Sequence, residues 1–323
     1  MDAPPIPAVE TINLTRTFGA ITALNSLNLV VNRGDLFGFI GSNGAGKTTT
    51  LRILATLTRP DGGKVRVAGY DVVSQRHEVR RRISLTGQSV AIDEVQTGFE
   101  NLSTLARLRG LSRHAARERA SELLAGFDLT EAARRRVAGY SGGMRRRLDL
   151  AAGLIGRPEV LFLDEPTTGL DPVSRKAMWA VIGQLAETGA TVLLTTQYLE
   201  EADQLADRVA VIDRGRIVGN GTADELKRQV GPRRLEMRLS DAASFDTVRL
   251  RVGRRVVSED RAELTLAVGI DGDASQVRGL LDEFDPQRCL ITAFAERSAT
   301  LEDVFVALTG DSAMIPAMEA AHA

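Results

Sequence analysis

The amino-acid sequence predicts an α/β fold in which a mainly parallel sheet carries helices on both faces, followed by a small α+β domain. Strand-like and helix-like segments alternate up to about residue 230, which is typical of parallel sheets. Residues 36–40 and 160–163 are apolar throughout, as expected of central strands that are buried on both faces. Beyond Gly231-Pro232 the order of segments changes, which indicates a second domain.

Each predicted element rests on a local pattern. Further strands of the first domain are expected at residues 11–17, 24–31, 64–67, 191–195 and 209–212, and its helices at residues 47–57, 115–127 and 145–155. Asp171-Pro172 predicts another helix start, since aspartate suits the cap and proline the first helical position. The second domain is expected to contain strands at residues 235–239, 256–257, 264–268 and 290–293, and helices at residues 245–252, 275–284 and 301–308.

Length and composition indicate two folded domains. The chain has 323 residues, of which 43% are hydrophobic, enough to form a core. We expect residues 1–8 to be disordered, 9–229 to form the first domain, 230–310 the second, and 311–323 a disordered tail. The single cysteine, Cys289, excludes an internal disulfide, and we expect it to be a buried packing residue.

Charge and hydropathy exclude several functions. The formal net charge is −1 and aromatic residues make up 4% of the chain, so nucleic acid is not an expected partner. No run approaches the ~20 apolar residues of a spanning helix, and the N-terminus lacks a secretion signal, so another chain would have to supply a membrane pore. Arginine clusters at residues 80–82, 134–136 and 145–147 are expected on solvated helix faces, with contact to acidic lipid or a membrane partner as the alternative.

The most specific motif is a glycine-rich loop between a predicted strand and a predicted helix. Its residues match the pattern G-x-x-x-x-G-K-[ST] and are Gly41, Ser42, Asn43, Gly44, Ala45, Gly46, Lys47 and Thr48. Glycines let several backbone N–H groups turn toward one anion, and the helix start adds its positive end. Lys47 would bind the β- and γ-phosphates, and Thr48 would offer its hydroxyl to Mg²⁺. These eight residues and Thr49 form the predicted phosphate site.

Two carboxylates end the second apolar strand. Asp164 and Glu165 would be costly beside a buried strand unless a cation lies near. Asp164 is therefore a candidate to hold Mg²⁺ through water, and Glu165 a candidate to orient and polarise the attacking water. Taken alone, the pair is equally consistent with the start of a solvated loop.

A serine and two glycines precede the helix predicted at residues 145–155. Ser141 would cap that helix, and Gly142 and Gly143 would leave its amide donors accessible to an anion. An ordinary capped helix start explains the same three residues.

The order of these motifs resembles that of the ATP-binding-cassette ATPases. Within residues 9–226 there follow a phosphate loop, Gln88, Ser141-Gly142-Gly143, Asp164-Glu165 and Gly169-Leu170-Asp171. The resemblance implies a phosphate-loop NTPase core with an antiparallel β-subdomain and a helical subdomain at about residues 89–158. It also implies an ATPase that forms a head-to-tail homodimer around ATP and Mg²⁺.

The same resemblance assigns roles to further residues. Ser141, Gly142 and Gly143 would contact the γ-phosphate held by the opposite subunit, and Asp171 would bridge the two subunits. Gln88 would reach Mg²⁺ and the water, and would couple the site to the membrane partner. Phe18 would stack on adenine, where the family usually has tyrosine; a core aromatic is the alternative.

One residue departs from the family pattern. The histidine that normally follows a Thr-Thr strand end is replaced by Gln197, and the three histidines of the chain lie elsewhere. An amide can donate a hydrogen bond but cannot become cationic. Gln197 would therefore stabilise the transition state less, and the rate should lack a histidine limb near pH ~6.5 at this position.

Several segments resemble the daunorubicin-resistance type of ATP-binding subunit. They are residues 57–60, 68–73, 140–149, 193–205, which include Gln197, and 301–305. This resemblance implies export of a hydrophobic, anthracycline-like natural product or of a lipid. It also implies a separately encoded multi-span permease and a peripheral location at the cytoplasmic face of the membrane. Cargo contacts would lie on the permease.

Other functions are alternatives. A regulatory nucleotide-binding ATPase with weak hydrolysis and no transport role is also consistent with Gln197. The segment from Thr48 to Ser141 is too short for the coiled coil of chromosome-maintenance ATPases, and one phosphate loop does not match the paired cassettes of ribosome-associated factors. The C-terminal domain shows no catalytic constellation, and dimer contact or regulation is the hypothesis for it.

Overall fold

The computed structural model of the protein describes residues 6–87, 92–231, 233–271 and 274–310. The chain divides into two compact units, the first ending at Ala223 and the second beginning at Asp224. Gln88, residues 1–5 of the predicted disordered N-terminus and the predicted tail at 311–323 lie outside the described residues. Ala8 is described and buried, and its N–H donates to the Val31 carbonyl at 2.8 Å.

The first unit begins with an N-terminal β-hairpin and continues with a mixture of strands and helices. Its strands are β1 (Val9–Phe18), β2 (Ile21–Val31), β3 (Leu36–Ile40), β4 (Gly62–Val67), β5 (Tyr70–Asp71), β6 (Ile83–Thr86), β7 (Val160–Asp164), β8 (Thr191–Thr196), β9 (Arg208–Asp213) and β10 (Arg216–Gly221). Its helices are α1 (Lys47–Leu54), α2 (Arg76–Arg82), α3 (Gly98–Leu108), α4 (Arg113–Gly126), α5 (Gly142–Gly153), α6 (Pro172–Glu187) and α7 (Leu199–Leu205). Helix α8 (Ala223–Val230) follows at the boundary of the units.

Two sheets organise this unit. An antiparallel sheet has the order β2-β1-β4-β5. The larger sheet has the order β10-β9-β3-β8-β7-β6, and all its neighbours pair in parallel except the edge strand β10. The predicted mainly parallel sheet is therefore confirmed, with the antiparallel subdomain beside it.

The central strands of the larger sheet are buried on both faces. Phe37, Phe39 and Phe162 belong to the core that contains the antiparallel sheet and α1, whereas Leu161 and Leu163 belong to the core that contains α3 to α6. Successive side chains of a strand point to opposite faces, so one continuous apolar run supplies both cores. This burial on both sides is what the unbroken apolar pattern predicts.

The second unit is an α+β fold, as predicted. Its strands are β11 (Arg233–Leu239), β12 (Val256–Asp260), β13 (Thr265–Ile270) and β14 (Ile291–Arg297), and its helices are α9 (Ala242–Val252), α10 (Ala274–Phe284) and α11 (Leu301–Thr309). The antiparallel sheet has the order β12-β13-β11-β14, and Leu235, Met237, Phe245 and Phe284 lie in its core. In the described part of the chain, no helix is both long and apolar enough to span a membrane.

Three sequence predictions need correction. Helix α1 ends at Leu54 instead of Leu57, because Thr56 adopts a left-handed backbone with φ 63°. Cys289 is exposed and not buried, since it lies in the turn between α10 and β14, where its N–H donates to Asp285. The arginines at 134–136 are exposed as expected, but the side chain of Arg146 is only 13% exposed.

Candidate nucleotide-binding site

Three of the predicted site segments follow strands at the carboxyl edge of the parallel sheet. Ile40 of β3 pairs with Thr196 of β8, and Asp164 of β7 pairs with Thr195. The residues that follow these pairs therefore leave the sheet at the same edge, where α/β proteins bind ligands. They are Gly41, Glu165 and Gln197.

The glycine-rich loop packs closely against neighbouring backbone. A Cβ at Gly41 would lie 2.5 Å from the Ile212 carbonyl oxygen, and one at Gly46 would lie 2.8 Å from that of Ala23. Gly46 also has φ 114°, which side chains rarely adopt, and it directly precedes α1. The loop thus has the strand–loop–helix context that an anion cradle needs, with Asn43 and Gly44 exposed at its tip.

Lys47 is held inside this loop. Its side chain is 4% exposed, and Nζ donates to the Gly41 carbonyl at 2.6 Å and to the Ser42 carbonyl at 3.1 Å. Nζ also lies 3.7 Å from Glu165 Oε1. Burial lowers the pKa of Lys47, while the Glu165 and Asp164 carboxylates oppose that shift.

Asp164 joins the loop to the neighbouring strands. Its Oδ1 accepts hydrogen bonds from Thr48 Oγ1 at 3.2 Å and from Thr195 Oγ1 at 2.7 Å, and the residue is 7% exposed. A hydroxyl and a carboxylate at this distance offer the hard oxygen ligands that Mg²⁺ prefers. The described residues contain no group of three or more His, Cys, Asp or Glu that could hold a metal alone. Mg²⁺ commonly uses one or two protein ligands and completes its shell with phosphate and water, so these residues fit it.

Glu165 is turned into the site by an unusual backbone. Its φ is 49°, and its N–H donates to both the carbonyl and the hydroxyl of Thr195 at 3.1 Å. The left-handed conformation is uncommon for a residue with a side chain and persists where the surroundings impose it. The carboxylate is 11% exposed, and its Oε2 accepts from Thr168 Oγ1 at 3.3 Å.

The serine-glycine turn lies beside the start of α6. Ser141 Oγ accepts from Met144 N at 3.3 Å and caps α5, and a Cβ at Gly143 would lie 3.0 Å from Ser174 Oγ. Asp171 caps α6 by accepting from Val173 N and Ser174 N at 3.0 and 2.9 Å, so both predicted caps are present. Hydrogen bonds from Ser174 lower the pKa of Asp171. Among the residues that the structure describes, no hydrogen bond or ion pair joins residues 141–143 to the phosphate loop.

Phe18 ends strand β1 and is 47% exposed, so the alternative of a core aromatic is wrong. The Arg16 guanidinium lies 4.5 Å from the ring centroid and forms an ion pair with Asp61 at 2.5 Å. The hydrogen bond from Thr17 N–H and the contacts with Arg16 lower the pKa of Asp61. Arg16 therefore orients an exposed aromatic ring at the edge of the unit.

Sequence reasoning missed two contributors. Thr195 bonds to Asp164 and to Glu165, but a threonine inside a strand carries no distinctive signal; its place in the Thr-Thr strand end is the local cue. Arg146 donates to the carbonyls of Asp164 and Glu165 and was expected on a solvated face. Both residues bond to segments that are distant in sequence, so no local pattern indicates these contacts.

Together these features define a phosphate-loop NTPase. A buried lysine lies in a glycine-rich loop that opens a helix, and an acidic strand end bonds to the threonine of that loop. This arrangement binds the phosphates of a nucleoside triphosphate.

Comparisons with known proteins narrow the class. A family model for ABC transporters matches residues 24–168. A daunorubicin/doxorubicin resistance ATP-binding protein of Streptomyces peucetius is 47% identical over 97% of this chain and 96% of its own length. A doxorubicin resistance ATP-binding protein of Mycobacterium tuberculosis is 46% identical over 94% of this chain and 93% of its own. A solved dimer of an ATP-binding cassette in a post-hydrolysis state, bound to ADP and phosphate, has a TM-score of 0.59 at 25% identity, covering 66% of this chain and 98% of that one.

The chain therefore belongs to the ABC transporter family, in the group of daunorubicin- and doxorubicin-resistance ATP-binding proteins. It is the ATP-binding and ATP-hydrolysing subunit that powers an exporter, as the sequence predicts, and it acts in a complex with separate membrane components. A regulatory ATPase without a transport role is not favoured by these relatives.

Proposed function

We propose that the chain hydrolyses Mg-ATP at two composite sites of a head-to-tail homodimer, and that closing and opening of this dimer drives a multi-span permease encoded separately. The observation that carries the proposal is the division of the site. Lys47 and Thr48 contact the two carboxylates at the end of β7, whereas Ser141 and Asp171 are exposed. The solved dimer with bound ADP and phosphate supports the same assembly.

In this proposal the phosphate loop binds the triphosphate. The N–H groups of residues 41–49 and the start of α1 surround the β- and γ-phosphates, and Lys47 adds a buried positive charge. Phe18 stacks on adenine with its exposed ring, which Arg16 orients. The Ser141–Gly143 turn of the opposite subunit closes over the γ-phosphate, and Asp171 contacts the subunit boundary.

Hydrolysis would depend on residues at the strand ends. Mg²⁺ would be held by Thr48, by Asp164 through water and by Gln88, and it neutralises phosphate charge when bound. Glu165 accepts a hydrogen bond from water and aligns its oxygen with the γ-phosphorus. The new oxygen–phosphorus bond forms as the bond to the bridging oxygen breaks, ADP leaves with that electron pair, and the water proton ends on phosphate. Gln197 donates a neutral hydrogen bond to the γ-phosphate.

We infer the cargo class from the relatives. Two of them are named for resistance to daunorubicin or doxorubicin. The proposed cargo is therefore a hydrophobic, anthracycline-like natural product, and a lipid is the alternative cargo. The chain would act at the cytoplasmic face of the membrane, and cargo selection would lie in the permease.

The test compares native protein with Glu165→Gln in Mg-ATP, measuring phosphate release and molar mass by light scattering. We expect turnover to fall by about 100-fold or more, because a positioned carboxylate is lost, while the variant retains ATP and forms a dimer. Glu187→Gln, an exposed position on α6, is the matched control and should keep native turnover. Native turnover in Glu165→Gln would remove Glu165 from this role, and monomers under all conditions would contradict the homodimer.

A further inference from the structure

Arg146 connects helix α5 to two segments of the site. Its guanidinium donates to four carbonyl oxygens: Nη1 to Gly87 at 2.7 Å, Nε to Pro166 at 2.8 Å, and Nη2 to Glu165 at 3.2 Å and Asp164 at 3.3 Å. The side chain is 13% exposed. A guanidinium is planar and has five donors in a fixed fork, so one side chain can bind several carbonyls at once.

The acceptors belong to chain segments that matter for hydrolysis. Asp164, Glu165 and Pro166 are consecutive, and they include both carboxylates of the site. Glu165 holds a left-handed backbone there, so its carboxylate direction depends on what fixes this turn. Gly87 follows strand β6 and directly precedes Gln88. One cation therefore holds the carboxylate turn and the segment leading to Gln88 in a single arrangement.

The neighbouring arginines of α5 do something different. Arg145 binds the Tyr140 carbonyl and Glu94, and Arg147 binds the Phe127 carbonyl and Asp128. Among the described residues, no hydrogen bond or ion pair joins either side chain to residues 164–166. Asp149, one turn further along α5, lies 3.6 Å from Arg146 Nη1 and is the buried counter-ion of that guanidinium. The contacts with the site are thus specific to the second arginine of the cluster.

We propose that Arg146 is a positioning residue for Glu165, which it aligns through the backbone of the turn that carries this carboxylate. The proposal rests on the role of Glu165 given above. Because α5 begins at the Ser141–Gly143 turn, Arg146 also links that turn to the carboxylate of its own chain. When the turn contacts nucleotide in the opposite subunit, that contact would then influence the position of the Glu165 carboxylate in its own chain.

The experiment measures kcat and KM for ATP in Arg146→Gln, Arg146→Lys and, as matched control, Arg147→Gln. We expect Arg146→Gln to lower kcat about 10- to 100-fold, as misplacement of a reacting group by about 1 Å does, with KM changed less than about threefold. Arg146→Lys should be intermediate, since one ammonium cannot serve four spread acceptors. Circular dichroism would show whether Arg146→Gln folds, and Arg146→Lys provides the test if it does not. Arg147→Gln should keep kcat within about twofold.

A double-variant comparison separates positioning from a general structural effect. If Arg146 acts through Glu165, Arg146→Gln should add no further loss of single-turnover rate to Glu165→Gln. Additive losses, or native kcat in both folded Arg146 variants, would overturn the proposal. Native kcat in Glu165→Gln would instead refute the role of Glu165, so the two failures are distinguishable.

Discussion

The phosphate loop and the serine-glycine turn are both glycine-rich helix starts, yet they differ in burial and in their bonds to the rest of the chain. The loop is tied to its own chain: Lys47 bonds to two carbonyls within it and lies beside Glu165, and Thr48 bonds to Asp164. The turn is exposed at Ser141 and Gly142, and the Ser141 hydroxyl caps α5 by accepting from Met144 N. A buried, internally bonded loop and an exposed turn in the same chain fit the proposed homodimer, in which each site takes one of the two from each copy.

In the proposed homodimer, the phosphate loop acts on nucleotide bound by its own chain, and the serine-glycine turn acts on nucleotide bound by the other. Substitutions in the loop and in the turn should both stop hydrolysis. In each site, however, the substituted loop and the substituted turn would belong to different subunits. Substitutions at Asp149, Phe18 and Gln197 probe other features of the first unit, with smaller expected effects.

The largest effect is expected from mixing two inactive variants. Lys47→Ala and Ser141→Arg should each lower turnover by about 100- to 1,000-fold, because each removes contacts to phosphate charge. If each site takes its loop from one chain and its turn from the other, a heterodimer of the two variants has one intact site. Random pairing should then restore about a quarter of native phosphate release.

The control for that experiment is a single chain carrying both substitutions, mixed with either variant. Such mixtures contain no intact composite site and should stay inactive. No recovery in the first mixture, although light scattering shows mixed dimers, would mean that the turn acts within its own chain.

The next largest effect is expected on stability, from Asp149, a buried carboxylate of α5. Burial raises the pKa of Asp149 to about 6, against an ordinary value of 3.8, and Arg146 opposes the shift. Between these pH values the folded state holds the proton and the unfolded state releases it, so the free energy of unfolding falls as pH rises through that window. Each unit of pKa difference corresponds to about 1.4 kcal/mol, so the free energy of unfolding at pH 7 is lower by about 3 kcal/mol than it is below both pKa values.

Asp149→Asn should remove this dependence. Urea unfolding at pH 4 to 7 should show the variant gaining stability relative to native protein as pH rises. Asp128→Asn, which changes a carboxylate that is 98% exposed, is the control and should follow the native curve. Parallel curves for Asp149→Asn and native protein would contradict the raised pKa.

Phe18 tests the proposed contact with adenine. Phe18→Ala should raise the KM for ATP about 10-fold, since stacking of a base on an aromatic ring contributes roughly 1–3 kcal/mol. Phe18→Tyr should keep the native KM. Ile21→Ala, another exposed apolar residue of the same hairpin, is the control, and an unchanged KM in Phe18→Ala would exclude adenine stacking at this position.

The smallest effect is expected at Gln197. Gln197→His should raise turnover about threefold at low pH, because a cationic donor binds phosphate more strongly than an amide. That gain should disappear as pH rises through the histidine pKa of about 6.5. Profiles of kcat from pH 5.5 to 8.5 check this, with Gln184→His, exposed on α6, as control. Identical histidine-type limbs in the native and Gln197→His profiles would contradict the assignment.

Sequence alone predicts the parts of this molecule that depend on local pattern. The apolar strand β7, the glycine-rich loop and the caps Ser141 and Asp171 are all present where short-range rules place them. The family and its ATPase activity follow from the order of the same motifs. The roles of the individual site residues stay predictions, although the strand register brings Lys47, Thr48, Asp164 and Glu165 together.

The rest depends on contacts that no local rule describes. Three consecutive arginines in a helix predict a charged face, but which of them turns inward depends on the carbonyls that α5 meets, and these come from β6 and β7. Strand β10 was not predicted, because its Gly-Asn-Gly end resembles a loop until β9 pairs with it. Cys289 was misassigned for the same reason, since its exposure is set by the turn that holds it.

Trp179 on α6 donates its indole N–H to the buried carboxylate of Glu201 at 3.1 Å and is the only tryptophan in the sequence. Its fluorescence therefore follows the first unit alone, whereas circular dichroism follows helices of both units. Heating one sample under both detectors would show whether the two units melt together or in succession, without any label or truncation.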